Sequence, residues 1–269
     1  MQGQGAVLST ALVVLGALVI IALERRFPSE PRQKLLRDGF WNDLVLYSIV
    51  QSYLLGFVIA ALIGWLDRAT GNLSRHGLVS GWPLGLQIAF FLVTHDLYIY
   101  WFHRLQHAVP WLWRIHEAHH SGKNVDWLSG SRSHALEILI NQTIEFAPLV
   151  LLGAHPAVAV VKVTADAIWG MYIHSNIGVR SGRLQYVING PEMHRWHHAA
   201  DLSREVNFST KLAIWDWLFG TAHLPPDRPT RFGLWGHAPF PAGFVAQQLF
   251  AFRRSEKPLP EESSARSAG

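Results

Sequence analysis

The chain has 269 residues, of which 49% are hydrophobic and 16% are charged. Soluble domains have about 25% charged residues, so this composition argues against disorder and against an ordinary soluble enzyme. Cysteine is absent, which excludes disulfides, thiolate metal sites, iron–sulfur clusters and cysteine nucleophiles. The net charge of +4 favours, in so apolar a chain, a membrane protein with basic residues on one side over a nucleic-acid binder, and we expect no nucleic-acid partner.

Three apolar stretches within the first 102 residues are long enough to cross a membrane as helices. Two of them, 6–23 and 44–66, carry no charge, and the third, 83–102, contains His95 and Asp96. A helix of about 20 residues crosses a hydrocarbon core of about 30 Å. The first stretch lacks the basic n-region and the small-residue cleavage site of a signal peptide, so we expect it to be retained as a helix.

A longer apolar stretch follows at 136–173 and is interrupted by Gly153-Ala154-His155-Pro156, which predicts a helical hairpin. Its arms are at the short end for a membrane span, and their ionisable residues indicate that they face protein rather than lipid. These residues are Glu137, Glu145, Lys162 and Asp166. The fold class predicted is therefore all-α: a multi-pass membrane bundle of about three spans plus a helical hairpin.

The distribution of basic residues predicts the orientation of this bundle. The loop after the first span carries five basic residues, whereas the loop after the second carries only Arg68 and Arg75. By the positive-inside rule the first loop is cytosolic, which places residues 174–269 in the cytosol as a histidine-rich helical cap. We expect a single membrane-embedded domain over 1–252, and a disordered polar tail over 253–269.

Three histidine clusters are the strongest chemical signal in the chain. They read HRLQH, HEAHH and HRWHH, and residues three or four apart share a helix face, so each cluster presents its imidazoles in one direction. Eight imidazoles are more than one metal ion needs, which indicates two metals. Imidazole suits iron, zinc, copper and nickel, and the spacing alone does not choose among them. A carboxylate-bridged di-iron bundle is disfavoured, because only Glu117-x-x-His120 fits its Glu-x-x-His pattern.

The order and spacing of these clusters resemble the membrane fatty acid hydroxylase/sterol desaturase superfamily. The resemblance runs from about Thr94 to Thr221 and includes DLYIYWFHRLQH, SRSHALE, YIHSN and NFSTKLAIWDWLFGT. In SRSHALE, Ala135 stands where the family usually has proline.

The resemblance implies a set of metal ligands and of residues that support them. The implied ligands are His103, His107, His116, His119, His120, His174, His194, His197 and His198. The implied supporting residues are Asp96, His134, Asn207 and Asp216. Asp96 either accepts the ring N–H of a ligand or pairs with Arg104 or Arg195. His134 either supports a ligand or faces substrate, and Asn207 and Asp216 either support ligands or cap helices.

The resemblance also implies the reaction. Two iron ions would use O2 to hydroxylate an unactivated C–H bond of a lipid, and desaturation of the lipid is the less favoured alternative. No catalytic residue is expected beyond the metal ligands. The chain shows no Gly-x-Gly-x-x-Gly fingerprint, cysteine or haem domain, so we expect a separate electron-donor protein to dock on the basic cytosolic face. The active site is expected on the cytosolic side of a bacterial inner membrane, with the endoplasmic reticulum membrane as the alternative. No residue names the substrate or the carbon that is oxidised.

Two other functional classes stay open at this point. The segment His116-Glu117-Ala118-His119-His120 also satisfies H-E-x-x-H, the signature of zinc metalloproteases, with Glu117 as general base. This hypothesis leaves HRLQH and HRWHH unexplained. A membrane haem binder would need only two axial histidines, and it does not explain three clusters.

Overall fold

The structure, a computed structural model, describes residues 2–200, 202, 204–234 and 240–253. This part of the chain is nearly all helical, and its only β-structure is two isolated bridges. Its α-helices are α1 (Gln2–Arg26), α2 (Ser52–Ala69), α3 (Leu84–Ala108), α4 (Pro110–His120), α5 (Ala135–Leu151), α6 (Pro156–His174), α7 (Pro191–His197), α8 (Ile214–Leu218) and α9 (Phe244–Phe250). A π-helix at Asn42–Gln51 runs directly into α2, and short 3-10 turns lie at Leu73–Arg75, Ser129–Ser131 and Gly182–Tyr186. The all-α membrane bundle predicted from the sequence is confirmed.

Three of the described helices have the length and apolar composition of a membrane span: Gln4–Arg26, Asn42–Ala69 and Pro156–His174. Side chains of α1 are largely exposed, with Val7 at 70% and Leu15 at 57% exposure. Such an apolar surface is stable against lipid rather than water.

The third span of the sequence prediction, 83–102, forms a helix but differs from these three. It extends as α3 to Ala108, and its buried face is polar, with Gln87, Asp96, His103 and His107 on it. These residues face the interior of the bundle because each unpaired polar group in hydrocarbon is costly. The predicted hairpin is observed as α5 and α6, of which only α6 has the composition of a span.

The helices pack in pairs that bring the ends of α3, α4, α6 and α7 together. α1 lies along α6, where Gly16 allows a close approach: a Cβ atom at this position would lie 3.0 Å from Cγ1 of Ile168. Ser9 and Thr164 share a hydrogen bond of 2.7 Å between the same two helices. Small residues and hydroxyl pairs of this kind are typical of helix contacts within membranes.

The turn between α5 and α6 depends on a glycine with a left-handed backbone. Gly153 has φ +74°, and it follows the end of α5 at the position where helices commonly end on glycine. A Cβ atom on Gly153 would lie 2.5 Å from the backbone nitrogen of Gly77. Pro156 then begins α6 at a position that tolerates proline. The hairpin therefore reverses direction in four residues.

A buried ion network fixes the loop between α4 and α5 to the π-helix. The Arg37 guanidinium contacts Asp126 at 2.7 Å and Asp43 at 2.8 Å, and the Arg132 guanidinium contacts Asp43 at 2.8 Å. All four side chains are buried. The network holds the backbone of Arg132, whose carbonyl group borders the histidine clusters.

The domain prediction for 1–252 stays a prediction. The tail predicted to be disordered is 253–269, and its residues 254–269 lie outside the described part of the chain.

Candidate metal centre

All nine histidines implied as ligands lie together, and they form two groups. The first group has five rings and the second has four, and within each group one ring nitrogen per residue lies within 4.8 Å of all the others. The first group consists of His103, His107, His116, His120 and His197, and the second of His119, His174, His194 and His198. Their assignment as metal ligands stays a prediction, which the geometry below supports.

Each HxxHH cluster divides its rings between the two groups. On a helix that turns 100° per residue, positions i and i+4 are 40° apart, and position i+3 lies 60° to the other side. His116 and His120 accordingly belong to the first group, and His119 to the second. In the third cluster the i and i+4 rings, His194 and His198, belong to the second group. Its i+3 ring, His197, belongs to the first group, so the clusters divide in opposite senses.

The remaining ligand positions come from two helix ends. His103 and His107 occupy the last turns of α3, one turn apart, and both face the first group. His174 is the last residue of α6 and completes the second group. The five-plus-four arrangement thus arises from four helices that end at the same place.

Within each group the Nε2 atoms point at one another. In the first group the Nε2 atoms of His103 and His116 are 3.2 Å apart, and those of His197 and His120 are 3.1 Å apart. In the second group Nε2 of His174 lies 3.1 Å from Nε2 of His119 and 3.0 Å from that of His194. The interior of each group is therefore lined by ring nitrogens.

The opposite nitrogen of most rings is held by an acceptor. Nδ1 donates to a backbone carbonyl group in four rings, and to the Glu137 carboxylate in His116 at 2.7 Å. The carbonyl partners are Phe208 for His103, Val206 for His197, Arg132 for His119 and Gly170 for His174. An acceptor at Nδ1 places the proton there and leaves the Nε2 lone pair directed into the group.

These rings form a donor set that fits metal ions. Burial lowers the pKa of His120, His197 and His198 well below the usual range, so these rings are neutral. Neutral rings whose Nε2 lone pairs face each other at about 3 Å repel, and a cation between them removes that repulsion. Imidazole donors without thiolates suit iron, zinc, copper or nickel. The nine rings would therefore suit two metal ions, one in each group.

Two of the predicted supporting residues act through the backbone. Asp216 accepts from the backbone N–H groups of Phe208 at 2.8 Å and Ser209 at 3.0 Å. It thereby fixes the segment whose carbonyl groups hold His103 and His197. Asn207, in the left-handed region at φ +55°, donates to the carbonyl groups of Met193 and His223 and ties α7 to this segment.

Asp96 does not have the role that the sequence indicated. Its two carboxylate oxygens accept from Thr210 Oγ1 and from the backbone N–H of Lys211 and Leu212, all within 2.8–2.9 Å, and from the Trp215 indole at 3.0 Å. The partners considered from the sequence were a ligand ring, Arg104 and Arg195. Asp96 instead caps the turn before α8, because that turn offers converging N–H donors at the same buried depth.

His134 is likewise a helix cap. Its Nδ1 accepts from the backbone N–H of Leu136 at 3.1 Å at the start of α5, and its Nε2 donates to the Gln248 carbonyl at 2.9 Å. Both ring nitrogens are therefore used by the backbone. The ring links α5 to α9.

Sequence reasoning did not identify two carboxylates that contact rings of the first histidine group. Glu137 holds Nδ1 of His116 and also accepts from Gln106 at 2.7 Å. A carboxylate oxygen of Glu205 lies 3.0 Å from Nδ1 of His107. Glu137 ends the SRSHALE segment and so had a signal in the sequence, whereas Glu205 had none.

Glu117, the general base of the protease hypothesis, is buried on α4 outside both histidine groups. Desolvation raises the pKa of its carboxyl group to about 7. His116 and His120, the ligands of that hypothesis, share their group with three more imidazoles. A catalytic zinc site usually has three protein ligands and an open position, so the geometry does not favour a protease.

One cavity of about 280 Å³ borders both histidine groups. Its wall includes His103 and His116 from the first group, and His119, His174 and His194 from the second. Away from the histidine groups the wall combines apolar side chains with polar and charged ones. The apolar ones are Ile99, Ile138, Trp169 and Ile173, and the polar and charged ones are His95, Asn141, Gln142, Glu145, Asp166 and Lys211. A cavity of this size lies near the lower end of the roughly 300–1,000 Å³ of small-molecule sites.

Comparison with known proteins gives the same family as the histidine clusters. The fatty acid hydroxylase family model matches residues 88–221. The ornithine lipid hydroxylase OlsE of Rhizobium tropici is 34% identical over 282 aligned positions, which cover 96% of this chain and 83% of that protein. The chain belongs to the fatty acid hydroxylase family. It is therefore an enzyme of the oxygen-dependent lipid oxidoreductase class, as the sequence predicted.

More distant members of the family align mainly over the histidine region. The human alkylglycerol monooxygenase is 32% identical over 127 positions, covering 47% of this chain and 28% of that protein. Methylsterol monooxygenase 2-2 of Arabidopsis thaliana is 29% identical over 164 positions, covering 57% of this chain and 59% of that protein. No solved structure matches the chain.

Proposed function

We propose that this protein is a membrane-bound di-iron monooxygenase that hydroxylates an unactivated C–H bond of a lipid. The reaction consumes the lipid C–H, O2, two electrons and two protons, and it yields the lipid C–OH and one water. The chain supplies no redox group of its own in the histidine region, so the two electrons come from a separate electron-donor protein. Hydroxylation is preferred to desaturation because the relatives named above are hydroxylases and monooxygenases.

The observation that carries this proposal is that two groups of histidines border the same cavity, and that within each group the Nε2 atoms face one another. The five-ring and the four-ring group would each hold one iron ion, and the two ions together would activate O2. The chain fixes the rings before any metal binds, because five Nδ1 atoms donate to fixed acceptors. Such support orients a ligand and raises its basicity.

The remaining contribution of the chain is placement of the substrate. The cavity would bring a substrate carbon against rings of both groups. The lipid enters from the membrane in which α1, the π-helix with α2, and α6 lie. Lipids are also the substrates named for the relatives: an ornithine lipid, alkylglycerols and methylsterols.

The site would lie on the cytosolic face of a bacterial inner membrane, where a reduced electron donor is accessible. The basic loop after α1 supports this orientation. The same loop holds Arg37, which the ion network binds to the segment between α4 and α5.

The test is a turnover experiment with labelled oxygen on iron-loaded protein in lipid nanodiscs, with a chemical or protein reductant. We expect one ¹⁸O atom from ¹⁸O2 in the lipid product and about two iron ions per chain. Incorporation of oxygen from water, or one zinc ion with peptide hydrolysis, would contradict the proposal. Glu117→Gln separates the two chemistries, because it should abolish proteolysis but leave the iron content unchanged.

A further inference from the structure

One surface of the protein lies directly on α7, the helix that contributes rings to both histidine groups. We call α7 cover the segment 221–233, which follows α8 and runs back across α7. The Phe232 ring of the cover packs on the Arg195 guanidinium of α7, 4.8 Å from the ring centroid. His223 packs edge-on against Trp196 of α7, with ring centroids 5.1 Å apart. The cover and α7 therefore form one layer between the cytosolic surface and the rings.

Two short paths lead from this surface to the five-ring group. Trp196, which contacts the cover, is joined by a peptide bond to His197. At the edge of the cover, Glu205 has a side chain that is 48% exposed. A carboxylate oxygen of Glu205 nevertheless lies 3.0 Å from Nδ1 of His107, which is buried. The surface thus reaches ligand rings at two places.

The exposed side chains around the cover are mostly basic. We call basic rim the five exposed residues Lys123, Arg180, Arg204, Arg228 and Arg231. The described carboxylates beside them are Glu192, Glu205 and Asp227, and two of these are engaged: Glu192 faces Arg180 at 3.8 Å, and Glu205 faces His107. Positive charge is therefore in excess on this surface.

Two arginines of the basic rim are held in place by backbone carbonyl groups. Arg228 donates to Gly178 at 2.8 Å and to Ser29 at 3.2 Å, and Arg180 donates to Pro226. A guanidinium has five N–H donors, so both retain donors for a further acceptor. Because these side chains are already ordered, they lose less conformational entropy when they bind a carboxylate.

A basic surface with short paths to a redox centre suits an acidic partner that carries electrons. Complementary charge steers the encounter of such partners, and electron-transfer contacts are small and transient. We propose that the α7 cover and its basic rim dock an acidic one-electron carrier protein, whose electrons reach the five-ring group across this layer. This inference rests on the proposed function and names the docking surface and the chemistry of its electron donor. Two docking events, each oxidising one carrier by one electron, supply the two electrons that one hydroxylation consumes.

Basic residues beside a membrane also attract anionic lipid headgroups. The position of the basic rim favours a protein instead, because the rim surrounds the cover of a helix that bears ligand rings. That helix, α7, lies outside the three candidate membrane spans.

The experiment measures binding of iron-loaded protein in detergent to two redox proteins of opposite charge, an acidic plant-type [2Fe–2S] ferredoxin and the basic cytochrome c. We expect ferredoxin to bind about tenfold more tightly or better at low ionic strength. The difference should vanish at about 1 M salt, where the Debye length is about 3 Å. Equal affinities at low ionic strength would overturn the proposal.

Charge-reversal variants locate the docking surface. Arg204→Glu and Arg231→Glu should each weaken ferredoxin binding severalfold and slow the anaerobic reduction of the iron centre by ferredoxin, followed by visible absorbance. Arg75→Glu is the matched control, because it makes the same change of charge at an exposed position beyond α2 and should alter neither value. Equal effects of all three variants would show attraction to net charge alone and overturn the assignment.

Two further measurements separate the remaining outcomes. Reduction by methyl viologen radical, a small cation that needs no docking surface, should not be slowed in any variant, which shows that the iron centre is intact. If the basic-rim variants lose binding to vesicles rich in phosphatidylglycerol but bind ferredoxin as before, the rim binds lipid and the proposal is overturned.

The outcome also separates this inference from the proposed function. Unchanged ferredoxin binding in the basic-rim variants, with intact iron loading and ¹⁸O incorporation under chemical reduction, overturns only the docking surface. Absence of iron or of ¹⁸O incorporation overturns the proposed function itself.

Discussion

Glu137 accepts a hydrogen bond from Nδ1 of His116 at 2.7 Å and one from Gln106 at the same distance. It belongs to α5, whereas His116 belongs to α4, so the contact joins two helices at the first histidine group. Because it is an acceptor only, the carboxylate holds the His116 proton on Nδ1 and keeps Nε2 free for a metal.

Glu137→Gln should therefore weaken iron binding by roughly 10- to 100-fold, the usual effect of losing a partner of a ligand. The amide is less basic, and its N–H2 group competes with the imidazole N–H. Iron retained against a graded chelator series measures the change. Asp38→Asn is the matched control, because it removes a carboxylate charge from an exposed position and should leave iron binding unchanged. Unchanged iron affinity in Glu137→Gln would show that this contact is only structural.

His107→Ala, His119→Ala and His197→Ala should each remove metal and abolish hydroxylation while the protein still inserts into the membrane. His107 and His197 belong to the five-ring group and His119 to the four-ring group. Elemental analysis of detergent-purified protein, beside a visible spectrum, measures the loss. His76→Ala, at an exposed position outside the groups, is the control. Full metal content in all three variants would contradict the assigned centre.

Gly153→Ala should destabilise the protein by roughly 1–3 kcal/mol, because it places a side chain in the left-handed region and against the backbone of Gly77. The midpoint of thermal unfolding in detergent reports the effect. Gly56→Ala is the matched control within α2: a Cβ atom there would meet no neighbouring group within 4 Å, and alanine favours a helix by about 0.5–1 kcal/mol. Equal midpoints for the two variants would disprove the strained turn.

Arg37→Met should cost roughly 3–5 kcal/mol of stability, because it leaves the buried carboxylates of Asp126 and Asp43 with an unpaired charge. The comparison is Arg180→Met, which removes a partly exposed partner of Glu192 and should cost at most about 1 kcal/mol. Chemical denaturation of both variants in the same detergent measures the difference. A similar cost for both would mean that the network adds little to the loop before α5.

A reporter fused after Gly269 should report the cytosol, because the positive-inside rule places the loop after α1 on that side. Paired fusions of alkaline phosphatase and a fluorescent protein distinguish the two compartments. Activity of the phosphatase at this position would reverse the proposed orientation and move the electron-donor docking face to the other side.

The sequence by itself determined the features that depend on short spacing. Uninterrupted apolar runs predict spans, and Gly153 with Pro156 predicts the reversal between α5 and α6. The i, i+3 and i+4 spacing of the histidines fixes which rings share a helix face, since 3.6 residues per turn holds in every helix. The division of each HxxHH cluster between two groups was not predicted, because the sequence indicated that all imidazoles of a cluster point in one direction.

Only the tertiary structure decided which residues meet across helices. Glu137 and Glu205 contact ligand rings from positions 21 and 98 residues away along the chain, and Asp96 binds the turn before α8 instead of a ligand. The ion pairs among His95, Glu145, Lys162, Asp166 and Lys211 likewise join residues from four segments. Hydrogen bonds of this kind depend on how helices pack, and packing sums many weak long-range contacts that no local spacing encodes.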